Sequence, residues 1–207
     1  VRELRNVLTR AVVMGGLGVN LGIPSIIAIP IGLVCGILCG AVNGGLVTLF
    51  RLPPFIVTLG TWKIFFALVL WLSAGQSIRS QDIDAASPFL KFFGAKVTYF
   101  DQYVGFSLNI TLGVILMLGI FAVVWYMLNR TAWGRHDYAV GDDPDAAELA
   151  GMRVNRVLVS VYVAAGFICG IAAWAAIGRV GSVSPSSFAE ANLESIAAVV
   201  IGGTSLF

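Results

Sequence analysis

Between Ile23 and Phe50 the chain carries no Asp, Glu, Lys or Arg. A helix rising about 1.5 Å per residue crosses a bilayer with about 20 apolar residues, so this run is long enough to span. Inside lipid the backbone has to satisfy its own hydrogen bonds, which a helix does within one segment. Pro24 and Pro30 lie near the start of the run, where a missing backbone donor costs least, so the regular helix is expected to begin close to Pro30.

Similar runs follow. The break Arg51-Leu52-Pro53-Pro54 leads to a span over 55–74 whose only charge is Lys63, since residues before proline are pushed out of helical geometry. Further spans are expected at 106–128 and 156–177, and a last apolar stretch, 195–207, starts another. Hydrophobic residues make up 58% of the chain and charged residues 12%, about half the charged share of a soluble domain, and the charges fall in blocks between the spans. The expected architecture is therefore all-α, a polytopic transmembrane helical bundle in one domain over 1–207. It is expected to be truncated at both ends: 195–207 would stop part-way across, and the basic segment before Ala11 leads into an apolar piece too short to span. The topology of 1–22 stays open.

Lys and Arg near span ends favour the cytoplasmic side. Arg51, Arg130 and Arg156 sit directly at span ends, which places 129–155 in the cytoplasm and 75–105 outside. Small residues recur through the fourth span (Ala164, Ala165, Gly166, Gly170, Ala172, Ala173), where they let helices approach closely in lipid.

The net charge of +2 supplies no basic field for nucleic acid. Cys35, Cys39 and Cys169 lie in apolar runs and His136 is the lone histidine, so neither a disulfide framework nor a metal site is expected. No Gly-x-x-x-x-Gly-Lys-Ser/Thr occurs, so ATP and its Mg would have to be bound by another chain. Nor is there a nucleophile, base and orienter set, which makes a catalytic role the minority reading.

The most informative segment is Asp143-Pro144-Asp145-Ala146-Ala147-Glu148-Leu149-Ala150-Gly151. Asp143 can cap a helix whose first residue is Pro144, Asp145 and Glu148 suit its positive N-terminal end, and Gly151 can close it. That predicts a short helix near 144–151. It is too short to be stable alone in water, so it packs either on the protein's own membrane ends or on another protein.

Asp145-Ala146-Ala147 with Gly151 beyond resembles the Glu-Ala-Ala...Gly loop of ATP-binding-cassette importer permeases, with Asp145 in place of Glu. Arg51 to Thr61, Gly134-Arg135 followed by Tyr138 to Gly141, Gly181 to Pro185, and Ala197 to Phe207 resemble, in order, the ribose, xylose and fructose type of bacterial sugar permease. Gln81-Asp82-Ile83 and Leu128 to Arg135 are most similar to fructose permeases. The resemblance implies a multi-pass inner-membrane subunit that moves a monosaccharide and performs no chemistry itself. It also implies an ATPase partner that receives the short helix as a coupling helix, an extracytoplasmic sugar-binding protein, and a second permease copy forming a homodimer within membrane lipid.

Lys63 lies near mid-bilayer, where a charge is costly and is a functional candidate by default. Asn43, Thr58, Thr61 and Asn109 could replace water around sugar hydroxyls, although such side chains more often bond neighbouring helices. These five are the candidate translocation-path residues. Trp62, Trp71, Trp125, Trp133 and Trp174 suit interface anchoring better than sugar stacking. The rival reading is an ATP-independent channel or ion-coupled carrier for a small polar solute. It usually requires an intramembrane carboxylate, and the apolar spans contain none.

Overall fold

In the computed structural model of the chain, the described residues are 11, 13–16, 24–50, 53–73, 76–78, 81–83, 88–101, 106–182, 197 and 201. Besides short helical pieces at 13–16 and 81–83, they form the helices α1 Ser25–Phe50, α2 Pro54–Ser73, α3 Leu112–Arg130, α4 Ala132–Asp142, α5 Pro144–Leu149 and α6 Val154–Val180. A 3-10 turn, Pro88–Gly94, precedes an antiparallel hairpin of β1 Lys96–Asp101 and β2 Phe106–Thr111, in register from Lys96↔Thr111 to Asp101↔Phe106. The architecture across the membrane is an all-α bundle: α1, α3 and α6 are each long and apolar enough to cross, and α2 has twenty residues. The further span expected to start over 195–207, and residues 1–22, whose topology stays open, lie mostly outside the described residues.

Two boundaries differ from expectation. α1 starts at Ser25 rather than near Pro30, because the Pro24 carbonyl accepts from Ile27 N at 2.8 Å and Ala28 N at 3.1 Å, nucleating the first turn ahead of the proline. The region expected to open the third span at 106 is instead strand β2 as far as Thr111, and Leu112 N donates to Ala95 O at 3.1 Å as α3 begins. Asn109 consequently pairs with Thr98 in the hairpin and does not belong to a span. Residues 106–111 alternate polar and apolar side chains, a period that suits a strand better than a buried helix.

The core of the bundle is the antiparallel contact of α1 with α6. On α1 the buried stripe is Gly36, Cys39, Gly40, Asn43, Gly44 and Val47, at three- and four-residue helical spacing. On α6 it is Gly166, Cys169, Gly170, Ala173 and Ile177. The two backbones touch. A Cβ on Gly166 would stand 2.5 Å from the Gly36 carbonyl oxygen, and one on Gly40 would strike the Tyr162 carbonyl. Because the pairing runs from Leu33 against Gly170 to Gly44 against Val159, the C-terminal end of α1 lies beside the N-terminal end of α6.

The opposite end of the bundle is capped. Gly94 of the 3-10 turn packs against Gly178 of α6 so closely that neither position admits a Cβ. Trp174 lies edge-on to Phe93, with ring centroids 4.5 Å apart, and is tilted against Phe89. Ile83 and Leu90 are buried with Met14, Val69, Ala173 and Ile177. Trp174 is therefore a packing residue of this cap rather than a free interface anchor, whereas Trp71 and Trp125 are exposed near the ends of α2 and α3. No residue of α3 is buried. Its exposed Val114, Ile115, Met117, Leu118 and Phe121 suit a hydrocarbon surround, in which apolar side chains need no protein partner.

Substitution at the seam tests this account. Gly40→Ala is expected to lower stability by about 1–3 kcal/mol through overpacking. Gly45→Ala, where a Cβ meets nothing within 4 Å, is expected to leave it unchanged or slightly raised. Thermal melts of the detergent-solubilised full-length protein compare the two.

Candidate functional site

At the end of the bundle where α1 stops and α6 starts, two single-residue joints and one four-residue link build a jointed arm. α3 ends at Arg130, and Thr131 is extended, with φ −107° and ψ 160°. Its hydroxyl donates to Met127 O at 2.6 Å and accepts from Gly134 N at 3.3 Å, so one residue closes α3 and caps α4. Gly134 is buried so tightly against the Leu128 carbonyl that a side chain there has no room. α4 buries Val140 and leaves Arg135, His136 and Tyr138 exposed, while partial burial raises the Asp137 carboxyl above its ordinary pKa.

The second joint is Asp143. Its backbone N–H donates to Ala139 O at 3.2 Å to close α4. Its carboxylate Oδ1 accepts from Asp145 N and Ala146 N, each at 3.0 Å, to open α5 with Pro144 in the first turn. Pro144 costs nothing there, because the first-turn donors have no intrahelical partner.

At the far end Gly151 adopts φ 83°, a left-handed conformation that glycine takes without penalty. Gly151 N donates to Glu148 O at 2.9 Å and Met152 N to Ala147 O at 3.0 Å, the paired bonds of a Schellman stop. The link Ala150 to Arg153 then leads into α6.

This six-residue helix is thus fully terminated by local bonds, and its side chains divide in two directions. Ala147 is buried, 3% exposed, and turns inward. Asp145, Ala146, Glu148 and Ala150 face water, and Leu149 is 91% exposed. A fully exposed leucine beside two carboxylates, on a helix held in one conformation, can seat an apolar knob in a pocket with a charged rim.

The candidate path residues are not gathered into one site. Asn43 is 1% exposed on the buried stripe of α1. Thr58 and Thr61 are buried on α2, and their hydroxyls donate along their own helix, to Pro54 O at 2.8 Å and Val57 O at 3.0 Å. Lys63, ten residues into α2, is exposed, and its Nζ stands 4.4 Å from the Trp62 ring centroid. Two open grooves lie at the arm's end of the bundle, one lined by Val42, Leu46, Thr48 and Asn155, the other by Thr48, Arg156, Val159 and Ser160. Neither contains any of these residues. Two features escaped sequence reasoning: the Gly36, Gly40, Gly44 spacing on α1, whose four-residue repeat was the available signal, and the hydrogen bond from Trp133 Nε1 to Ser160 Oγ, 2.8 Å, for which there was none.

The family described as branched-chain amino acid transport system / permease component matches residues 6–207. The chain is 50% identical to the fructose import permease protein FrcC of Rhizobium meliloti over 95% of its own length and 53% of that protein. It is 32% identical to the ribose import permease protein RbsC of Haemophilus influenzae over 91% of its length and 55% of the relative. It is also 32% identical to the D-allose transport system permease protein AlsC of Escherichia coli, over 85% and 50%. The chain spans about half the length of these relatives. No solved structure matches it.

The caps give a test of the arm. Asp143→Ala removes the acceptor for two N–H groups and is expected to cost about 1 kcal/mol locally, within the 0.5–2 range of cap deletions. Amide hydrogen exchange of residues 144–149 is expected to rise while that of α6 stays unchanged.

Proposed function

Because the chain belongs to the family of branched-chain amino acid transport system permease components, we propose that it is the membrane-spanning part of a bacterial ATP-driven importer of a monosaccharide, resident in the inner membrane. The observation that carries this reading is the doubly capped helix Pro144–Leu149, which presents Leu149, Asp145 and Glu148 to water from a rigid frame. The family description speaks of amino acids, whereas the similar permeases are named for fructose, ribose and allose. The 50% identity to a fructose permease favours a sugar, and fructose is the first to test.

On this reading Asp143 to Gly151 form the coupling segment for a separate ATPase subunit, which binds ATP and Mg, and the chain itself catalyses nothing. The coupling end is cytoplasmic. The 3-10 turn and hairpin end faces outward, where an extracytoplasmic sugar-binding protein docks, and a second permease copy completes a homodimer. ATP binding shifts the transporter between inward- and outward-open states through contacts that differ between them.

Among the path candidates, Thr58 and Thr61 serve their own helix. Lys63 is the one whose exposure at mid-span calls for a polar surround, since a lipid-facing cation there is costly. Lys63→Met is expected to lower uptake with the permease still assembled. Unchanged uptake rules out a path role for this lysine.

The decisive experiment is uptake of labelled fructose, with ribose and xylose as competitors, into proteoliposomes holding the full-length permease, its ATPase and its binding protein. Uptake is expected to require both ATP and the ATPase; uptake that needs neither identifies a channel or an ion-coupled carrier. Glu148→Arg, which reverses the charge beside Leu149 on the exposed surface near the C-terminal end of α5, is expected to weaken co-purification of the ATPase.

A further inference from the structure

The helices α3, α4 and α5 of the arm all pack on α6, and two of their meetings are fixed by a covalent link or a hydrogen bond. One meeting is the short link Ala150 to Arg153, which enters α6 at its first turn. The other is at α4, where the half-buried Trp133 donates from Nε1 to Ser160 Oγ at 2.8 Å, 27 residues further along the chain. The serine is set for this. Its own hydroxyl donates to Val157 O at 2.7 Å, which directs the proton along α6 and leaves the oxygen's lone pairs for the indole.

Without this bond α4 has single-residue joints at both ends, Thr131 and Asp143, each capped by local bonds. A push on α5 could then be absorbed in part by pivoting α4 about Thr131, and α6 would feel it through the link at its N-terminus and through the packing of α4 and α5 on it, which is less directional than a hydrogen bond. With the bond in place, α4 and the second turn of α6 move together. α6 in turn is locked to α1 through backbone contact at Gly166 and Gly40, so displacement of α6 carries α1 with it.

We infer that the Trp133–Ser160 hydrogen bond is a transmission contact: it converts movement of the coupling helix Pro144–Leu149 into movement of the α6–α1 pair. Trp133 and Ser160 are positioning residues, and neither needs to touch sugar or nucleotide. The inference rests on the proposed function, because it presupposes a partner that moves α5.

The test uses proteoliposomes with the full-length permease, ATPase and binding protein, and reads labelled sugar transported per ATP hydrolysed. Trp133→Phe keeps an aromatic ring and removes the donor, Ser160→Ala removes the acceptor, and Ser160→Thr retains it. Trp133→Phe and Ser160→Ala are each expected to lower the transport-to-hydrolysis ratio about two- to tenfold, the range one net hydrogen bond sustains. The double variant is expected to be no worse than either single one, because both remove the same bond. Ser160→Thr is expected to keep the wild-type ratio, and ATPase co-purification and the sugar concentration for half-maximal uptake are expected not to change.

If Trp133→Phe does not assemble, Ser160→Ala decides alone, since it removes a single oxygen. Wild-type ratios in Trp133→Phe and Ser160→Ala, or equal loss in Ser160→Thr and Ser160→Ala, overturn the inference while ATP-dependent wild-type uptake leaves the proposed function standing. Wild-type uptake that ignores ATP overturns the proposed function and this contact's role together.

Discussion

The rest of the bundle depends on the backbone-to-backbone contact of α1 with α6. In lipid, hydrophobic side chains gain nothing by leaving one apolar environment for another, so helices are held by close packing and polar contacts. Gly36, Gly40 and Gly44 on one side and Gly166 and Gly170 on the other remove the side chains that would keep the two axes apart. Once the helices lie antiparallel at this distance, the start of α6 stands beside the end of α1, and everything attached to that end is placed with it.

At one end of the pair the chain builds a cap from aromatic packing, at the other an arm from hydrogen bonds. The cap uses Phe89, Phe93 and Trp174 together with the Gly94–Gly178 contact, and fills space the two helices leave open. The arm uses Thr131, Asp143 and Gly151, each ending or starting a helix by local bonds. Local capping leaves the outer face of α5 uncommitted. Leu149 has no role within the described fold, and on the reading proposed here it belongs to a partner.

α2 and α3 show the other side of the same physics. Neither is enclosed by the described residues, and α3 has no buried residue. For most of their side chains lipid is a sufficient neighbour. Lys63 is the exception, because an ammonium group at mid-span needs polar company that hydrocarbon does not provide.

The sequence by itself determined the helical class and the short helix that follows Asp143. Both follow from local rules: a charge-free run longer than a bilayer is thick has to be helical, and Asp143, Pro144 and Gly151 carry their own start and stop chemistry. It did not reveal that 96–101 and 106–111 form a hairpin, because the mixed charges of that region read equally well as an irregular loop and an apolar strand can pass for the start of a span. The roles of Asn109, Trp174 and Trp133 were decided only in three dimensions. Their partners, Thr98, Phe93 and Ser160, are set by strand register and by helix packing between segments distant in sequence, and composition and spacing carry no record of which distant atoms come within hydrogen-bonding or ring-contact distance.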